Sequence, residues 1–174
     1  MSGAEKSAGV DGLHIRPARA EDAALIHGLI LEIADYEKLR HEVVATVEHI
    51  REALFPDHGL ATAHALIGEI DGAPQGYALY FFNFSTFVGR PGLYLEDVFV
   101  RPPFRGRGLG KALLIALADV ARRRGCGRME WSVLDWNTPA IEFYASLGAR
   151  TMDGWTVHRL DEPALHRLAD QCRR

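Results

Sequence analysis

The sequence lacks most of the features that would mark a protein for export, metal binding or nucleic-acid binding. Only two of its 174 residues are cysteine, Cys126 and Cys172, far apart and outside any CxxC pair. A disulfide framework is therefore not encoded, and the thiols read as those of a reduced intracellular protein. No apolar run approaches the ~20 residues that span a membrane, and the opening MSGAEKSAGVDG has no apolar segment of the kind a secretory signal needs. The eight histidines form no HxxxH pair and none stands beside a cysteine at ligand spacing, so no metal is expected. A formal net charge of −3 argues against nucleic acid as a partner of the whole chain. Repeats and low-complexity tracts are missing too. What remains is a soluble, cytoplasmic protein of ordinary globular composition, 48% hydrophobic and 25% charged. Its length suits one domain with a sizeable core. The small, polar residues 1–12 are expected to form a disordered tail, and residues 13–174 the domain.

Periodicity supplies the elements. LHIRP reads as a strand, and Ala23, Leu25, Ile26, Leu29, Ile30 and Ile33 follow helical spacing behind ARAED. Thr46 is placed to cap a second helix running to Leu54. ATAHALIGEI and QGYALYFFNF flank Asp71-Gly72, a hairpin signal. GLYLEDVFV is rich in β-branched and aromatic residues and reads as a further strand. A helix from about Leu109 to Arg124 buries Leu113, Leu117, Val120 and Ala121, and Gly125 stops it. RMEWSVL alternates as a strand. Thr138 and Pro139 suit the N-cap and first position of a helix that carries Ile141, Tyr144 and Leu147. GWTVHRL is expected as a last strand and Glu162–Cys172 as a closing helix. The order implies an α/β fold with a single mixed, mostly antiparallel sheet flanked by helices.

The most informative stretch is RPPFRGRGLGKALL, Arg101–Leu114, with three glycines and four basic residues at the mouth of a helix. A helix N-terminus presents unpaired N–H groups and a partial positive charge, and glycine lets a phosphate come close to the backbone. The stretch is not a P-loop, because the required first glycine is Arg105 and the Ser/Thr position is Ala112. Nor is it the dinucleotide fingerprint, which would need glycine where Lys111 stands. R-x-x-G-x-G, Arg105–Gly110, does fit. The alternative is a glycine-rich turn with solvated arginines.

That pattern resembles the acetyl-CoA pyrophosphate loop of the GNAT N-acetyltransferases, and its neighbours extend the likeness. The resemblance implies a cofactor site made by Val98, Phe99 and Val100 on a bulged strand, by Arg105, Gly106, Arg107, Gly108, Leu109, Gly110 and Lys111 in the loop, and by Asn137 in DWNTPAIEFYASLGA. It also implies Tyr144 as general acid and Glu96 as the base or water-positioning acid. IRPARAED, ADYE, LYLEDVFV, WNTPAIEFY and GW are similar to one branch, the spermidine/spermine N1-acetyltransferases and the related thialysine and diamine acetyltransferases, over about Leu13–Leu168. For that branch Tyr36, Glu37, Glu96 and Asp97 would contact substrate, acetyl-CoA would be the co-substrate, a small amine the partner, and a homodimer the assembly.

Elementary chemistry asks for the same parts. An amine of pKa near ~10.4 costs about 4–5 kcal/mol to deprotonate at neutral pH. A carboxylate acting through water can strip that proton, backbone N–H groups can hold the oxyanion, and a polycationic substrate calls for carboxylates along its groove. LEDV puts an acid inside an apolar strand, where burial is costly unless the acid is used or paired. Glu96 and Asp97 point to opposite faces in a regular strand, and a bulge changes that. Asp135 is an extra acid nearby, and Trp136 is assigned to core packing. The segment before GW, ARTMDGW, has a single acid, Asp153, which suits a short diamine, thialysine or another lysine analogue better than spermine. The rivals are a protein N-terminal or lysine acetyltransferase, an aminoglycoside acetyltransferase, and a non-catalytic acyl-CoA sensor. The apolar YALYFFNFSTFVG suits either a dimer interface or a strand buried on both faces.

Overall fold

The computed structural model describes residues 12–173. Residues 1–11 of the expected tail lie outside the described residues. The chain forms two compact units, one ending at Ser132 and one beginning at Val133.

The first unit contains β1 (Leu13–Pro17), α1 (Ala23–Glu37), α2 (Val47–Leu54), β2 (His64–Ile70), β3 (Ala73–Ser85), β4 (Arg90–Val100), α3 (Leu109–Arg123) and β5 (Arg128–Trp131). Its sheet runs in the order β1-β2-β3-β4-β5. The first four strands pair antiparallel, and β5 joins β4 in parallel after the crossover through α3. Asp71 and Gly72 turn the β2–β3 hairpin with φ of 52° and 76°, the left-handed pair that a two-residue hairpin requires.

Core residues alternate along the strands as a two-sided sheet demands. Ala65, Ile67, Tyr77 and Phe99 face Ile26 and Leu29 of α1 and Ile50 and Leu54 of α2. Gly68, one residue on from Ile67 and so on the opposite face, receives Leu109 at the start of α3. A Cβ there would lie 2.9 Å from the Leu109 Cδ1 atom, so glycine makes room for the helix to dock. Leu109, Leu113 and Leu117 are fully buried along that helix, the stripe its periodicity implies, although Val120 is only half-buried. Thr46 caps α2 as expected, its hydroxyl accepting from the His49 N–H at 3.3 Å.

The start of α1 is fixed by charge. The Arg16 guanidinium donates to both oxygens of Asp22 at 2.6 and 2.9 Å and to Glu69 at 2.7 Å, and Asp22 also accepts from the Arg19 N–H at 2.7 Å. The bond from Arg16 holds the Asp22 carboxyl below its ordinary value. His14 and Arg16 together do the same for Glu69.

The second unit carries α4 (Thr138–Ser146) and α5 (Glu162–Ala169). Asp161 caps α5 by accepting from the Ala164 N–H at 2.9 Å. Two expectations change here. The cap of α4 is Asn137 and not Thr138, which falls in the helix with Pro139. GWTVHRL is not a strand. Its β-favouring composition finds no ladder within this unit, where no other strand occurs among the described residues, and Val157 is 83% exposed. The segment YALYFFNFSTFVG divides: Tyr77, Ala78 and Tyr80 are buried, while Phe84, Phe87 and Val88 at the hairpin tip are exposed.

Candidate active site

In the first unit the predicted residues converge from three elements. α1 ends just after Tyr36 and Glu37 because Lys38 turns left-handed (φ 63°) and the Leu39 N–H closes on the Ala34 carbonyl at 2.8 Å. The Arg101 guanidinium donates to Glu32 at 2.7 Å, which fastens α1 to the end of β4. The last turn of α1 is thereby held in place, with Glu37 half-buried.

The bulge expected in β4 is present. Leu79 pairs with Asp97 but Tyr80 pairs with Leu95, so Glu96 is the extra residue. Glu96 is exposed and Asp97 half-buried, so the acid withdrawn from water is Asp97 and not Glu96. The bulge explains the exchange, since it frees Glu96 from the ladder and keeps Asp97 in register on the face of Leu79. The buried Tyr77 hydroxyl donates to Asp97 Oδ2 at 3.0 Å. Burial pushes the Asp97 carboxyl above its ordinary value, the bond from Tyr77 opposes that, and the charge of Glu96 adds to it. Glu37 is raised as well, first by burial and then by Asp97. Two carboxylates from different elements thus lie close enough to repel, in a place poor in water.

Beyond the bulge, β4 parts from β5. The last parallel pair is Leu95 with Trp131, and β4 continues to Val100. Val98, Phe99 and Val100 therefore present a backbone edge to which no strand is paired among the described residues. Val100 is followed by the glycine loop. Gly106 (φ 74°) and Gly108 (φ 89°) take left-handed conformations that side chains disfavour, and together they swing the chain into α3. Gly108 is the N-cap and offers no side chain to the helix. The first helical rung is the Ala112 N–H on the Gly108 carbonyl at 2.9 Å, so the N–H groups of Leu109, Gly110 and Lys111 precede it. Arg105, Arg107 and Lys111 are exposed around this terminus. A Cβ on Gly110 would meet nothing nearer than Val100 Cγ2 at 3.8 Å. The protein's own packing therefore does not require glycine at 110. A ligand pressed against the helix start would, and the donors present fit a phosphate or pyrophosphate.

Arg105 links the two halves of this site. Its Nε donates to the Val100 carbonyl at 2.9 Å, and its guanidinium lies 4.4 Å from the centre of the Tyr36 ring and 5.7 Å from that of Phe99. Arg107 reaches Asp71 at 3.5 Å.

In the second unit, Asn137 begins α4 without a side-chain capping bond, and Tyr144 is half-buried two turns further on with its ring 5.5 Å from that of Phe143. Asp135 is exposed. Trp136, assigned above to the core, is 54% exposed, because it sits in the turn before α4 and not on its apolar stripe. Among the described residues no three His, Cys, Asp or Glu side chains are grouped to hold a metal ion, and no helix is long and apolar enough to cross a membrane.

Sequence reading passed over Tyr77. The available signal was a tyrosine at an inward position of an apolar strand, whose phenol must find a partner inside the protein.

Residues 30–149 match the Acetyltransferase (GNAT) family. The chain is 39% identical over 166 residues to a thialysine N-epsilon-acetyltransferase of Sus scrofa, covering 89% of this chain and 96% of that one. It is 31% identical over 197 residues to an L-ornithine N5-acetyltransferase of Arabidopsis thaliana, covering 88% and 86%. Among solved structures, an integron cassette protein from the mobile metagenome of V. cholerae superposes with a TM-score of 0.75 at 23% identity, over 91% of this chain and 98% of that one.

Proposed function

The chain belongs to the acetyltransferase (GNAT) family, and on that footing we propose that it moves acetyl from acetyl-CoA to the terminal primary amine of a thialysine-like, lysine-like or short diamine substrate. That it is an acetyltransferase acting on an amine follows from its relatives. The substrate class is our reading. The observation that carries it is the pair of half-buried carboxylates, Glu37 and Asp97, each with its pKa raised. Two repelling acids in a dry place are costly until a cation sits between them. A small ammonium compound meets that need, and the thialysine enzymes among the relatives favour the short end of the range.

Acetyl-CoA, when bound, supplies an acetyl group activated as a thioester. In this reading the N–H groups of Leu109, Gly110 and Lys111, with Arg105, Gly106, Arg107 and Gly108, hold its pyrophosphate, and the free edge at Val98–Val100 and the Asn137 side chain hold its arm. Glu37, Asp97 and Tyr36 hold the cationic substrate. Glu96, exposed beside Asp97, takes the proton of the attacking amine through water. Tyr144 holds at its hydroxyl the proton that the departing sulfur needs. Residues 13–174 act as one domain, and the enzyme works as a cytoplasmic homodimer. A sedimentation experiment returning only monomer at working concentration removes the dimer from this reading.

The test is a steady-state assay of CoA release with thialysine, lysine, ornithine, putrescine, spermidine, spermine, a tripeptide and an aminoglycoside as acceptors. The highest kcat/KM is expected for thialysine or another lysine analogue. A clear preference for the tripeptide or the aminoglycoside sinks the proposed substrate class.

A further inference from the structure

Tyr77 lies outside every role described so far. It is fully buried, 0% exposed, and packs in the core with Ile26 and Leu29 of α1 and Phe99 of β4. A phenol in such surroundings must either bond within the protein or forfeit its hydrogen bond. Its bond is to Asp97 Oδ2 at 3.0 Å, the carboxylate on the adjoining strand next to the bulge. Burial and the nearby acids keep the phenol protonated far into alkali, so Tyr77 acts only as a donor. A carboxylate accepting from a fixed donor has one oxygen assigned and its plane set. Without that bond Asp97 would be free to rotate about its last torsion, a broad two-fold rotor, and its alternatives would cost little.

Building on the amine reading above, we propose that Tyr77 is a positioning residue for acceptor binding: its buried hydroxyl orients the Asp97 carboxylate so that the acid meets the substrate ammonium in one geometry. The groups facing Asp97 are Tyr77 from β3, Glu37 from the end of α1 and Glu96 beside it on β4. Tyr77 is the hydrogen-bond donor of this set, and the other two are acids that repel Asp97. Orientation and charge are therefore coupled. The same bond that aims the carboxylate also favours its ionised form, against burial and against Glu96.

The test uses the full-length enzyme, with Tyr77→Phe, Asp97→Asn and the double variant. The probe is a trimethylammonium analogue of the best acceptor, a competitive inhibitor with no proton to lose. Tyr77→Phe keeps the ring that packs in the core and removes one oxygen, and its thermal midpoint confirms folding. We expect inhibition to weaken about tenfold in Tyr77→Phe, with the KM for acetyl-CoA unchanged. As pH falls, the loss of inhibition should begin at a higher pH than in the wild type, because Asp97 has lost the bond that favours its charge. Asp97→Asn should weaken inhibition further, and adding Tyr77→Phe to it should change nothing more. A merely structural tyrosine would lower the thermal midpoint without moving the pH at which inhibition fades. Should Tyr77→Phe match the wild type in inhibition and pH profile while Asp97→Asn is weak, or should the two effects simply add, this inference is overturned and the amine reading stands. A wild-type enzyme indifferent to both the probe and the amine panel overturns both.

Discussion

At the scale of single residues, the proposed site divides into groups that would hold charge and groups that would move a proton. Tyr144→Phe tests the second kind. Turnover is expected to fall about 10²–10⁴-fold, the usual worth of a positioned acid, while acetyl-CoA binding measured by calorimetry stays near that of the wild type. Unchanged turnover would strip Tyr144 of the acid role. Asp97→Asn tests the first kind. Glu37 is raised partly by the charge of Asp97, so its titration should move down when that charge is removed. Binding of the trimethylammonium probe needs ionised carboxylates and is lost as pH falls through their raised values. In Asp97→Asn the remaining grip, though weaker, should persist to lower pH than in the wild type; a midpoint that stays put or rises would show that the two acids do not interact. The placement of these groups was legible beforehand, because Tyr36, Glu37, Glu96 and Asp97 stand in short motifs that fall at the end of α1 and on the bulged strand. Which of the two adjacent acids turns inward was not. That is decided by a one-residue register shift opposite Leu79 and Tyr80, a tertiary event that alternation along one strand cannot foretell.

At the scale of elements, helix α3 has two jobs in the proposed function that make opposite demands on Gly110. A helix prefers alanine at almost any position, and the fold leaves room for its methyl group beside Val100. An anion against the first turn needs the space empty. Gly110→Ala should therefore stabilise the ligand-free enzyme by about 0.5–1 kcal/mol, seen as a rise of a few degrees in the thermal midpoint, and should raise the KM for acetyl-CoA. A variant that is more stable with that KM unchanged would show that no ligand approaches Gly110. The glycine loop and the helix behind it were readable because backbone conformation imposes a residue type there: Gly106 and Gly108 both have positive φ. GWTVHRL misled for the complementary reason. Propensity describes what a segment suits, but a strand exists only where another strand offers its hydrogen bonds.

For the molecule as a whole, acid response follows from the cluster that ties β1, β2 and α1 together. Asp22 and Glu69 are held below their ordinary values by Arg16 and His14, so the folded state binds fewer protons there than the unfolded chain. Stability from these groups is present above the usual carboxylate range and is lost as pH falls through their lowered values. Glu37 and Asp97 have the opposite sign, since their raised values make the folded state slightly more stable as pH drops toward the ordinary carboxylate range. Net acid lability is expected because five direct bonds reach Asp22 and Glu69, three from the Arg16 guanidinium, one from the Arg19 N–H to Asp22 and one between His14 and Glu69. Asp22→Asn should lower the thermal midpoint near neutrality and flatten its decline in acid; an equally steep decline would place the acid-sensitive groups elsewhere. The crossover topology has a further consequence, and it is kinetic. Strands β2, β3 and β4 join through short hairpins, whereas β5 reaches β4 only after the chain has passed through α3. Closing that crossover costs more loop entropy than closing either hairpin, so α3 and β5 are expected to join after them. The start of α3, proposed above to hold the pyrophosphate, lies within that later segment, so a ligand bound there should reinforce contacts absent from the folding transition state. Acetyl-CoA should then slow unfolding in stopped-flow experiments and leave the folding rate nearly unchanged, acting as a brake on loss of structure and not as a template for its formation.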